Sequence, residues 1–113
     1  MPAPPASRLG SDQQKMFVGV LELDVLLGDV HSLKEKRSVV RPVVAELRKR
    51  FEVAASEAGH RDLHRRALIG VAAVSGDAAH VREVLAGCER LVAGRPELEL
   101  LSARTRLIGP EDD

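Results

Sequence analysis

Apolar side chains in this chain recur with a period that switches between two and 3.6 residues, and the order of those switches restricts the fold more than any single motif. Phe17, Gly19, Leu21, Leu23, Val25 and Leu27 alternate along one face of a β-favouring run, with Glu22 and Asp24 on the other, which predicts a strand buried on one side. Gly28 and Asp29 break that run. Ser32 then offers an N-cap, with Glu35 three residues on as its capping-box partner. Leu33, Val40, Val43, Val44, Leu47 and Phe51 fall on one arc at about 100° per residue, so a helix extends to Phe51. Pro42 lies inside it and predicts a bend or a restart, because proline removes a donor and crowds the preceding turn.

Residues 52–57 predict a short second strand, 58–66 a polar connection and 67–75 an apolar third strand, together a hairpin. Asp77 caps a second helix with the inward stripe Val81, Val84, Leu85, Cys88, Leu91 and Val92, ended by Gly94 and Pro96. A last strand over 98–108 points Leu101, Ala103, Thr105 and Leu107 inward, and Ser102, Arg104 and Arg106 outward. The order β-α-β-β-α-β closes naturally as an α+β, ferredoxin-like split βαβ plait: a four-stranded antiparallel sheet in the order 4-1-3-2, with both helices on one face. Glu22 and Asp24 then share the outer face with Arg104 and Arg106, so cross-strand ion pairs are expected there, each worth about 0.2–1 kcal/mol.

At 113 residues and 44% hydrophobic content, one domain over 16–109 is expected. Residues 1–15 hold three of the six prolines and no apolar period, which predicts a flexible extension without the apolar middle of an export signal. Residues 110–113 predict a loose acidic tail. A lone cysteine can form neither an internal disulfide nor a multi-thiolate zinc site, so a reducing, cytoplasmic setting is expected. No apolar run reaches the roughly 18 residues of a membrane span.

Seventeen basic residues balance 17 acidic ones, so only local charge can direct binding. The first helix supplies it: residues 32–51 hold seven lysines and arginines against Glu35 and Glu46. Lys34, Arg37, Arg41 and Arg48 fall within about 60° of one another on the helical wheel and extend over about 20 Å, a stripe able to follow a phosphate backbone. The competing reading is a solvated face whose stems cover the helix flank. Lys36 falls inside the apolar arc; either it snorkels, or it joins His31 at an anion held by the helix N-terminus. The connection adds His60, Arg61, His64, Arg65 and Arg66, a basic loop able to widen the same surface. Phe17 and Phe51 are the only rings of the Phe/Tyr/Trp class and both point inward, which excludes a base-stacking sheet.

Catalytic readings find little support. His60 and His64 have a zinc-like spacing only if helical, and Gly59 and Asp62 predict a loop. Cys88 sits in a core stripe, so no catalytic residue, metal or cofactor is assigned and a non-enzymatic role is expected. A second class of function is a homodimeric interaction module joined through the open sheet face, with Val18, Val20, Glu22, Asp24, Arg104 and Arg106 as its interface.

The segments MFVGVLELD at 16–24, HSLKEKR at 31–37 and GVAAVS at 70–75, with the arginine-rich helix between them, resemble the YlxP-like family of small bacterial proteins of unknown function. The resemblance spans residues 16–108. It implies a ferredoxin-like plait, no assigned activity, and genes lying among those for translation initiation and ribosome maturation, but it supplies no ligand; ribosomal RNA or a ribosomal subunit is the partner expected of the basic helix in that setting. Where many relatives carry a tryptophan before the third strand, this chain has His64. Acylphosphatase, a family resembling a plait of this size, needs an asparagine beside its arginine, and the chain has none.

Overall fold

The alternating run at the start of the domain forms β1 (Phe17–Leu27), the strand on which the rest is built. The computed structural model describes residues 15–110, and the chain continues through α1 (Leu33–Phe51), β2 (Ala54–Gly59), β3 (Arg66–Ser75), α2 (Ala78–Ala93) and β4 (Leu98–Ile108). The sheet order is β2-β3-β1-β4 with every pairing antiparallel, which is the expected plait. Most of the expected extension and the end of the acidic tail lie outside the described residues. No described helix is long and apolar enough to cross a membrane.

β1 pairs with β3 on one side and β4 on the other, so its inward residues are sealed from both flanks as well as from above. Leu21, Leu23 and Val25 have no exposed surface, and they meet Val43 and Leu47 of α1 and Val81, Leu85 and Val92 of α2 in one core. Gly19 lets α2 approach β1: a Cβ there would overlap the side chains of Val81 and Leu85.

Both helix starts follow their sequence signals. Ser32 is extended, and its Oγ accepts a hydrogen bond from the Glu35 amide at 3.1 Å. Asp77 Oδ1 accepts from the amides of Ala79 at 2.9 Å and His80 at 3.4 Å.

Three expectations change. First, α1 runs through Pro42 without restarting. Pro42 and Ser38 are both exposed, so the Ser38 carbonyl that loses its i+4 partner lies on the solvent side. Second, β2 starts at Ala54 rather than residue 52, because Glu52 turns into the left-handed region (φ 53°) and its amide caps α1 by donating to the Arg48 carbonyl at 3.1 Å. Third, Leu101 is 44% exposed instead of buried. The register of β4 against β1 slips between Asp24 and Val25, which face Ser102 and Leu100, and leaves Leu101 as the extra residue of a bulge. Leu98 and Leu100 on one side of the bulge and Ala103 and Leu107 on the other can therefore all face the core.

Candidate functional site

α1 lies over the edge strand β2, and the space between them is a groove of about 520 Å³. Arg37, Arg41 and Arg48 line it from the helix, and Arg61 closes one end from the β2–β3 loop. Val40, Val44 and Ala45 supply apolar floor, while Ser56 and Glu57 face in from β2. The spacing of 37, 41 and 48 stacks these side chains along one flank of α1, and burial of Val40, Val44 and Leu47 fixes that flank toward β2. Lys34, exposed one turn earlier, extends the row.

None of Lys34, Arg37, Arg41 and Arg61 forms an ion pair among the described residues. Arg48 gives its Nε–H to the Ala55 carbonyl at 2.9 Å, which pins its stem to the edge strand and leaves its terminal nitrogens without a carboxylate. The two acids of α1 point elsewhere. Glu46 pairs with Arg50 at 3.3 Å and with Arg95 beyond α2. Glu35 Oε1 accepts from the His31 amide at 2.6 Å.

Lys36 is corrected from binding residue to internal strut. Only 1% of it is exposed, and Nζ donates to the carbonyls of His60 at 2.6 Å and Leu63 at 2.8 Å, with Glu57 Oε2 at 2.6 Å. The Glu57 contact is a salt bridge, which completes the three partners of the ammonium. The ammonium thus holds the loop that carries Arg61, including His60 in its left-handed conformation (φ 59°), and neutralises the one carboxylate that lines the groove. The apolar arc predicted that the side chain points inward; nothing in its spacing showed that loop carbonyls wait there.

The expected anion site at the start of α1 is corrected too. Lys36 is turned away from it, the Glu35 carboxylate already occupies the helix start, and the His31 imidazole stands 2.8 Å from Asp29. Nor do Arg65 and Arg66 join the helix. Arg65 donates its Nε–H to the carbonyls of Leu27 at 3.2 Å and Gly28 at 2.8 Å, closing the end of β1. Arg66 binds Asp24 bidentately at 3.1 and 2.7 Å on the opposite side of the sheet. Of the basic loop, Arg61 alone lines the groove. Ser56 and Glu57 were absent from the expected set, because the residue that β2 turns toward α1 depends on where that strand begins.

On the outer face the register sets Glu22 opposite Arg104 and Val20 opposite Arg106, while Val18 faces Ile108. The expected ion pairs with β4 do not form: Asp24 is opposite Ser102 and is answered from the other side by Arg66, with His60 Nε2 at 3.4 Å. Hydrogen bonding from Arg66 holds the Asp24 carboxyl below its ordinary value, against the opposing effect of desolvation and with further help from His60.

Nucleophilic chemistry finds no footing at Cys88, fully buried in α2 with its thiol pushed up to about 11 by desolvation. His60, of the zinc-like pair, lies in the loop and is turned toward Asp24.

Comparison with known proteins places the whole plait in one family. A family model described as a protein of unknown function, DUF503, matches residues 18–105. The uncharacterized protein YlxP of Bacillus subtilis is 32% identical over 89 residues, which are 79% of this chain and 97% of that protein. Strands, helices and arginine groove all fall almost wholly within the matched residues, and the chain belongs to the DUF503 family, whose YlxP-like members its sequence resembles.

Proposed function

We propose that the protein is a non-enzymatic RNA-binding accessory factor that holds a phosphate backbone in the groove between α1 and β2, with ribosomal RNA or a ribosomal subunit as its partner. One observation carries this reading: four arginines converge on one groove whose only lining carboxylate among the described residues is committed to Lys36. Guanidiniums suit phosphate because their planar fork donates two parallel hydrogen bonds and stays charged at any physiological pH. With Lys34 the row covers about 20 Å of helix, room for several consecutive phosphates, and binding releases their counterions.

Both phenylalanines pack against the core, so recognition rests on backbone charge and shape and tolerates sequence changes. Ribosomal RNA is chosen as the partner because the family resemblance implies a gene neighbourhood of translation and ribosome maturation. Fluorescence anisotropy with a labelled ribosomal RNA fragment tests the reading. Changing Arg37, Arg41 and Arg61 together to glutamate lowers affinity on the order of a hundredfold, whereas Arg82→Glu with Arg90→Glu on exposed α2 positions changes it by less than about threefold. Equal losses in the two variants, or no loss in the first, contradict it.

A further inference from the structure

The outer face of the sheet holds an acid and two bases that have no ion-pair partner among the described residues, and from their placement we infer that the protein pairs with a second copy of itself, sheet face to sheet face, about a two-fold axis. Glu22 stands on the central strand β1, Arg104 opposite it on β4, and Arg106 one pair further along. All three are exposed, and none makes an ion pair or a side-chain hydrogen bond among the described residues. Asp24, the next acid on that face, differs: Arg66 and His60 already satisfy it. A face carrying both signs side by side, unneutralised, is complementary to its own copy, because a two-fold brings the Glu22 of each chain to the guanidiniums of the other. A partner of a single sign would answer one half of the face and repel the other.

The surroundings suit this occupant. Val74 is 65% exposed, and Val18, Val20, Leu26 and Leu68 are half-buried with no helix above them. Beside them Ala54, Gly70 and Ala72 line a shallow depression of about 440 Å³, bordered at the β2 edge by Ser56 and Arg48 and able to receive side chains that project from a facing sheet. Ten paired residues of β1 at about 3.3 Å each, across four strands about 4.8 Å apart, give about 600 Å² per copy. The total of about 1,200 Å² is at the lower end of specific interfaces, so the dimer forms with concentration rather than obligately. Both helices lie on the other face, so Lys34, Arg37 and Arg41 of α1 stay outward, and only Arg48 and Ser56 border both surfaces.

Sedimentation equilibrium of the full chain without nucleic acid tests it. The wild type shows a reversible monomer–dimer equilibrium. Glu22→Arg, and separately Arg104→Glu with Arg106→Glu, weaken self-association at least tenfold, while circular dichroism shows both variants folded. An equimolar mixture of the two variants regains dimer, because each face then meets its opposite. A wild type that stays monomeric to millimolar concentration, a dimer unmoved by Glu22→Arg, or a mixture without recovery overturns the inference.

Discussion

Lys36 shows how one side chain can prepare a binding surface without belonging to it. Removing an ammonium that satisfies two carbonyls and faces a partly buried carboxylate leaves three polar groups unanswered, so Lys36→Met should lower unfolding free energy by about 3 kcal/mol in chemical denaturation. Glu57→Gln should cost less, because both carbonyls keep their donor. Asp24 provides a pH-dependent counterpart. Its folded-state carboxyl is held below the ordinary 3.8, so the stability it adds is present above that value and is lost as pH falls through the lower folded value. Asp24→Asn should therefore unfold more easily than wild type at pH 7, by about 1 kcal/mol, with the difference disappearing on titration from pH 5 toward pH 2.

At the scale of elements, α2 sits where it does because β1 lacks a side chain at Gly19. Gly19→Ala pushes a methyl into Val81 and Leu85, and thermal melts should show a loss of about 1–3 kcal/mol as the helix is forced from the sheet. The strand and helix periods were legible at this level because each reflects a single face turned to one core. The bulge at Leu101 was not: strict alternation fits only one half of β4, and the slip follows from its pairing with β1. The continuity of α1 through Pro42 was likewise hidden, since the penalty depends on whether the orphaned Ser38 carbonyl meets water or protein.

Across the whole molecule, formal charge is zero, yet it is distributed so that α1 and the loop before β3 present guanidiniums while the acids of α1 face other partners. The helical wheel revealed the row of Lys34, Arg37, Arg41 and Arg48 because their order needs only the helix. It could not reveal that Arg61 joins them while Arg65 and Arg66 do not, since the three are near neighbours in sequence and the loop distributes them to a groove, a strand end and the opposite face. The central claim is that these cations act as one field on a phosphate backbone, and the salt dependence of RNA affinity measures it most directly. With about four phosphate contacts, log K should fall against log salt with a slope of about −3, and Arg41→Gln should make that slope shallower by about one. A slope near zero, or one that Arg41→Gln leaves unchanged, would contradict the account.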